Sequence, residues 1–216
     1  VDLAIFDEQY SPYIFRQGII KYIPIEAVAV AIQCKSTDLQ GIEAWAKSIL
    51  GLKTSLEGIS RTMQGLVYAE RKTDNSLIQT STRPIMILCH LKKKPSQKDK
   101  GNLEGFDFVL SLSKEDRLEV RLTSQNEEVS TIGYWLKELN QKDDQKYNNK
   151  HQSISKENEY SFEMEAYRVY QNDKRESEEI SLLTLNFQLN QLLMLINNPL
   201  LFPHRAYVNM FNKHPY

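Results

Sequence analysis

The sequence predicts an α/β domain, in which strands and helices follow one another along the chain. Short apolar or alternating runs, typical of strands, occur at residues 1–7, 22–35 and 84–91. Two longer segments repeat apolar residues at helical spacing. The chain has 216 residues, of which 41% are hydrophobic, and this is enough to bury one substantial core. The predicted order is strand, strand, helix, strand, strands and helix.

The first part of the chain is predicted to contain two strands and a helix. Residues 1–7 alternate loosely as a strand, residues 8–20 form a loop or hairpin turn, and residues 22–35 form a buried strand. A helix is then predicted up to about Leu56. Its start is indicated by residues whose side-chain oxygens can accept hydrogen bonds from the first free N–H groups of the helix. The candidate caps are Ser36, Thr37 and Asp38, and the apolar face contains Ile42, Trp45, Ile49 and Leu52.

The rest of the chain is predicted to add a central strand, a hairpin and two helices. The apolar run 84–91 suits a central strand, and the alternating segments 106–113 and 117–123 suit a hairpin. A short helix is predicted over 129–139 and a long one over 177–197. The long helix carries a stripe of apolar residues, namely Leu182, Leu185, Leu189, Leu192, Leu193 and Ile196.

Composition divides the chain into three parts. Residues 1–139 hold the α/β core, and residues 161–216 form a C-terminal helical segment that packs on it. Residues 140–160 between them are almost free of apolar side chains. Such a composition cannot offset the entropy cost of ordering, so this part is predicted to be a polar, flexible loop or linker. The helix at 177–197 could cover the sheet or form the seam of a homodimer.

Charge and cysteine content restrict the class of protein. The net charge is −1, so nucleic-acid binding would need a local basic patch rather than a global field. Cys34 and Cys89 are too few for a disulfide framework and lack zinc-site spacing, which favours a reducing cytoplasm. The chain has no 18-residue apolar stretch and no signal-peptide pattern, so no membrane partner is expected. It begins inside a strand and without methionine, which indicates a fragment.

The strongest functional signal lies within residues 1–36. Asp2 lies in the first predicted strand. Glu26 opens the apolar run IPIEAVAVAI within the second, and Gln33 and Lys35 end that strand. Carboxylate and carbonyl oxygens are the ligands that Mg²⁺ prefers, and such an ion activates water and neutralises charge at a phosphodiester. Gln33 and Lys35 share one strand face because side chains alternate, so the lysine can orient the water or stabilise developing charge.

The segment VDLAIFD followed by IPIEAVAVAIQCKS resembles the core of the restriction-endonuclease-like PD-(D/E)XK nuclease superfamily. It is most similar to an uncharacterised prokaryotic group with a Pro-x-Glu-x-Val segment and an E-x-K-S triplet. The resemblance covers about the first 60 residues. It implies a mixed central β-sheet flanked by helices, DNA as substrate, and Mg²⁺ or Mn²⁺ as cofactor.

On this resemblance Asp2 matches the strand aspartate, Gln33 the second acid and Lys35 the lysine. Asp2 and Gln33 would hold the metal. Glu26 matches an extra acid of the prokaryotic group. Gln33 departs from the usual glutamate, as it does in Mrr-type and related nuclease families, and this departure weakens the expectation of activity without excluding it.

Other interpretations of the same residues stay open. Taken singly, Asp2, Gln33 and Lys35 are also typical of exposed strand ends. Lys92, Lys93 and Lys94 form a basic cluster that could contact phosphates or simply be solvated. The chain could be an inactive relative of a nuclease that binds nucleic acid or a protein, or an interaction module built on the apolar segment 177–211.

Overall fold

A five-stranded mixed β-sheet with helices on both faces forms the centre of the molecule, as an α/β class predicts. The computed structural model describes residues 1–6, 15–18, 20–23, 28–51, 59–62, 65–68, 83–93, 103–123, 131–139, 163–171 and 178–196. The central sheet contains β1 (Leu3–Phe6), β4 (Val28–Lys35), β7 (Ile85–His90), β8 (Phe108–Leu112) and β9 (Leu118–Leu122), in that spatial order. The helices are α1 (Ile42–Leu50), α2 (Ile132–Leu139) and α3 (Ser181–Ile196).

The pairing of the sheet is antiparallel at both edges and parallel in the middle. β1 runs antiparallel to β4, and β8 runs antiparallel to β9. β7 is parallel to both β4 and β8, and is therefore the central strand that its apolar sequence predicts. The predicted hairpin of β8 and β9 is confirmed, with Ser111 opposite Glu119.

The prediction of one strand over residues 22–35 is wrong at its beginning. Tyr22 ends a short strand, β3 (Ile20–Tyr22), which pairs with β2 (Phe15–Gln17) in a separate hairpin. The long strand β4 starts only at Val28. A second hairpin is made by β5 (Ile59–Thr62) and β6 (Gly65–Tyr68). Short hairpins of this kind lack a long apolar run, so their sequences resemble loops.

The predicted cap of α1 is also wrong. The helix begins at Ile42 after Gly41, whose φ of 77° is left-handed, and no side chain caps it. Asp38 instead closes a local turn, because its Oδ1 accepts a hydrogen bond from the Gln40 N–H at 2.9 Å. The helix ends at Leu50, before the predicted Leu56, and residues 52–58 lie outside the described segments.

The two faces of the sheet are covered by different helices. Alternation along β4 sends Val30 to one face and Ala31 to the other. The α1 face, which α1 covers, buries the sheet residues Ala31, Met86, Leu88 and Val109 with Ile42, Ala46, Ile49, Leu103 and Phe106. The opposite face, covered by α2 and α3, buries the sheet residues Val30, Ile85, Ile87, Phe108 and Val120 with Trp135, Leu139, Phe187, Leu192 and Ile196.

Helix α3 therefore covers the sheet. Each large apolar side chain that it buries contributes about 1.5–3 kcal/mol. The residues 140–160 and the segment after Ile196, predicted as a linker and a docked tail, lie outside the described residues. Among the described helices none combines the length and the apolar character needed to span a bilayer, and the longest, α3, has 16 residues.

An ion pair between Arg83 and Asp107 links the start of β7, the end of α2 and the residue before β8. The Arg83 guanidinium donates to both oxygens of Asp107, with distances of 2.7 Å to Oδ2 and 2.8 Å to Oδ1. Arg83 Nε also donates to the Glu138 carbonyl at 3.1 Å, and Asp107 Oδ2 accepts from the Met86 N–H at 2.8 Å. Burial, the largest single influence, would lower the pKa of Arg83, but the charge and hydrogen bonds of Asp107, together with the charges of Glu138 and Tyr134, outweigh burial and raise it. The pair thus fixes the start of β7 to the end of α2 and to the residue before β8.

A close approach at Gly105 yields a stability prediction. Gly105 ends the short 3₁₀ turn Leu103–Gly105, and a Cβ placed there would lie 2.8 Å from the Ala46 Cβ of α1. We expect Gly105→Ala to lower the free energy of unfolding by about 1–3 kcal/mol, because α1 must move away from the turn. Urea denaturation measures the change.

The variant Ala46→Gly provides the matched control. Alone it costs about 1 kcal/mol, since glycine is a poor helix residue. Combined with Gly105→Ala it removes the clashing methyl group, so the loss for the pair should be smaller than the sum of the single losses. Additive losses would show that the two sites do not touch.

Candidate functional site

The antiparallel pairing of β1 and β4 brings Asp2 beside Gln33. Leu3 is the register partner of Ile32, and the Asp2 N–H donates to the Ile32 carbonyl at 3.2 Å. The side chain of Asp2 contacts the last residues of β4. Its Oδ2 accepts hydrogen bonds from Gln33 Nε2 at 2.9 Å and from the Cys34 N–H at 2.7 Å. Two residues that are 31 positions apart in sequence are therefore in direct contact.

Lys35 lies two residues beyond Gln33 on the same face of β4. Its side chain is half-buried. Its register partner on β7 is His90, which is buried. Asp2 and Gln33 are thus in contact near the end of β4, and Lys35 lies two residues beyond Gln33 on the same face of the strand.

Two of the three lysines in the predicted basic cluster lie among the described residues, whereas the predicted acid Glu26 does not. Glu26 and Lys94 lie outside the described residues. Lys92 is half-buried and Lys93 is exposed, and both directly follow β7 at the end of the sheet where Lys35 lies. Lys93 Nζ is 2.5 Å from Asp116 Oδ1, so the charge of this lysine is partly compensated. Lys92 and Lys93 therefore lie at the same end of the sheet as Lys35, the last residue of β4.

The contact of Asp2 with Gln33 offers few metal ligands, because the Nε2 of Gln33 rather than its amide oxygen faces the carboxylate. Both hydrogen bonds to Asp2 go to Oδ2 and leave Oδ1 out of these contacts. The described segments contain no group of three or more His, Cys, Asp and Glu side chains arranged around one point. Mg²⁺ is commonly held by one or two protein oxygens together with water and substrate phosphate, whereas zinc takes three or four protein ligands.

A row of polar side chains extends this region across the sheet. His90 on β7 is the partner of Lys35, Ser111 on β8 lies on the same face, and Glu119 on β9 is the partner of Ser111. His90 and Ser111 lie late in their strands and Glu119 lies early in β9, and only the register of the strands shows that they are neighbours. Sequence reasoning missed this row because a single strand does not reveal its partners.

An open depression lies at the carboxyl ends of the three parallel strands. Its volume is about 490 Å³, and it is lined by the last residues of β4, β7 and β8 and by the start of β9. Lys35 and His90 contribute to it from the α1 face, and Cys34 and Cys89 contribute from the other face. A ligand at the strand ends would therefore meet polar groups on one side and thiols on the other.

The two cysteines are register partners on β4 and β7. Cys34 is exposed and Cys89 is half-buried. The pKa of Cys89 is raised from 9.0 to about 11. Burial is the largest cause, and the charge and hydrogen-bonding influence of the neighbouring Cys34 thiol add to it. At neutral pH Cys89 is therefore protonated.

This raised pKa predicts a loss of stability in alkali. The folded state holds the Cys89 proton up to a pKa of about 11, whereas the unfolded thiol releases it near 9.0. The stabilising contribution is complete below pH 9.0 and is lost as the pH rises to about 11. We expect the free energy of unfolding, measured by urea denaturation with reductant present, to fall more over this range in the wild type than in Cys89→Ala. Parallel pH profiles for the two proteins would contradict this assignment.

Comparison of the chain with models of protein families, with curated proteins and with solved structures gives no match. The family resemblance of residues 1–36 therefore stays a prediction from the sequence.

Proposed function

We propose that this chain is a metal-dependent nuclease of the restriction-endonuclease-like fold, which hydrolyses DNA phosphodiester bonds. One observation carries the proposal. The carboxylate of Asp2 contacts the side chain of Gln33 at the end of the strand that also bears Lys35. A carboxylate and an amide oxygen can bind a divalent cation, and an ammonium group can stabilise charge that develops at a phosphodiester.

Each residue has a distinct role in this proposal. Asp2 would bind Mg²⁺ or Mn²⁺ through a carboxylate oxygen, and Gln33 would add its amide oxygen after its Nε2 turns away from Asp2. The bound ion supplies an activated water and neutralises phosphate charge. Lys35, on the same strand face, orients the water and stabilises the charge that develops on the phosphate.

The surroundings of the strand end favour a polyanionic substrate. Lys92 and Lys93 follow β7 next to the strand that carries Lys35. Contacts from lysines to phosphates position a nucleic acid without reading its sequence. A cytoplasmic enzyme acting on DNA, in defence or DNA processing, is consistent with the two free cysteines.

A cleavage assay with Asp2→Ala tests the proposal. Supercoiled plasmid, single-stranded DNA and RNA are incubated with Mg²⁺ or Mn²⁺ and with the wild type or the variant. We expect metal-dependent cleavage of DNA by the wild type and a decrease of at least about 100-fold in Asp2→Ala, because the metal loses its only carboxylate ligand among these residues.

The matched control is Lys47→Ala. Lys47 is an exposed lysine of α1 that pairs with Glu43, and its removal leaves the strand end intact. This variant should cut DNA at the rate of the wild type. Cleavage that survives Asp2→Ala, or that proceeds equally in a chelator, would overturn the proposal.

The alternative is a catalytically inactive nuclease-like domain that binds nucleic acid or a protein. The hydrogen bond from Gln33 Nε2 favours it, since a neutral amide already satisfies one Asp2 oxygen. The two functions differ in their response to Mn²⁺. An enzyme should gain thermal stability with Mn²⁺, by about 2.7 kcal/mol at 100 times the dissociation constant, and an inactive relative should gain none.

A further inference from the structure

The in-register cysteines of β4 and β7 form a dithiol that is independent of the proposed nuclease chemistry. Cys34 and Cys89 are Cα partners in the parallel pair, so their side chains project from the same face of the sheet. That face is the one that α2 and α3 cover, opposite to the face of Gln33 and Lys35. The two cysteines are also the only ones in the chain.

The spacing of the strands allows the two sulfurs to bond. Neighbouring strands lie about 4.8 Å apart, and disulfides join Cα atoms that are roughly 4.4–6.8 Å apart. The two cysteines are direct register partners on neighbouring strands, so no residue lies between them. The Cβ atoms of a parallel register pair are farther apart than the roughly 3.8 Å of a relaxed disulfide, so a bridge here would be strained and easily reduced.

The two cysteines differ in access to solvent. Cys34 is exposed and Cys89 is half-buried, and both line the open depression at the strand ends. A small reagent can therefore reach Cys34 first, while Cys89 lies beside it and is partly shielded. This is the arrangement of an attacking thiol with an adjacent resolving thiol.

We propose that Cys34 and Cys89 form a reversible disulfide by exchange with a low-molecular-weight disulfide such as oxidised glutathione. Cys34 sulfur attacks one sulfur of the reagent, the reagent S–S bond breaks, and one molecule of reagent thiol leaves. Cys89 then releases its proton and attacks Cys34 sulfur as the thiolate, the mixed disulfide breaks, and the second reagent molecule leaves as a thiolate that takes up a proton. The two protein thiols give up two electrons and two protons, and the reagent disulfide becomes two thiols.

Mass spectrometry of the intact protein treated with oxidised glutathione tests the proposal. The wild type should lose two hydrogen atoms in mass, lose both alkylatable thiols and yield one cross-linked peptide that contains Cys34 and Cys89. Excess reduced glutathione should restore both thiols.

Two single variants test the order of the steps. Cys89→Ser keeps the attacking thiol and should accumulate the glutathione adduct on Cys34. Cys34→Ser should react far more slowly, since its remaining thiol is half-buried. A stable glutathione adduct on the wild type, a disulfide only between two chains, or a bridge that excess reduced glutathione leaves intact would overturn the proposal. None of these readouts depends on DNA cleavage.

Discussion

Asp107→Ala is expected to lower the free energy of unfolding by about 3–5 kcal/mol, because it leaves the buried Arg83 guanidinium without its carboxylate. The Asp107 side chain is 8% exposed and that of Arg83 is 19% exposed, so water cannot replace the lost partner. The Met86 N–H loses its acceptor as well. Urea denaturation followed by circular dichroism measures the loss.

An exposed pair supplies the control for this prediction. Glu43→Ala removes the carboxylate that pairs with Lys47 on the surface of α1. This pair is solvated, so the variant should unfold close to the urea concentration at which the wild type unfolds. If Asp107→Ala were no more harmful than Glu43→Ala, the Arg83 and Asp107 pair would not hold β7, α2 and the approach to β8 together.

Lys35→Ala is expected to decrease metal-dependent DNA cleavage by about 10²–10³-fold, because the ammonium no longer stabilises charge at the reacting phosphate. The same variant keeps Asp2 and Gln33, so it should keep the rise in melting temperature that Mn²⁺ produces. Loss of cleavage without loss of metal binding separates the role of Lys35 from that of the metal ligands. Plasmid cleavage and a thermal shift on one preparation give both readouts.

The control for Lys35 is another lysine at the same end of the sheet. Lys93 is exposed and pairs with Asp116, so Lys93→Ala should weaken substrate binding slightly and leave the maximal rate unchanged. Wild-type cleavage by Lys35→Ala would place the reacting phosphate elsewhere on the molecule.

Long apolar runs made much of the fold predictable. Residues 84–91 predict a central strand because both faces of β7 are buried, by Ile85 and Ile87 on one side and by Met86 and Leu88 on the other. The hairpin of β8 and β9 and the helices α2 and α3 were also predicted near their observed bounds. The cap of α1 was not, because the residue before the helix is Gly41, which has no side chain to accept a hydrogen bond from the first free N–H groups.

The candidate site was predictable only in part, for a physical reason. Period-two alternation places Gln33 and Lys35 on one face from sequence alone. The contact of Asp2 with Gln33 requires knowing that β1 pairs with β4 and in which register. His90, Ser111 and Glu119 join the row only through two further registers, and no local pattern encodes those.

The topology of the sheet also implies a sequence of folding events. The β8–β9 hairpin closes through a short turn, whereas β4 and β7 meet only after the chain between Lys35 and Ile85 has looped back. Closing a long loop costs more entropy than closing a short one, and pairings between distant segments form slowly. Asp2, Gln33 and Lys35 all lie on strands joined by such distant pairings. The long-range pairings that build the end of β4 are therefore expected to form later than the short hairpins when the full-length chain refolds.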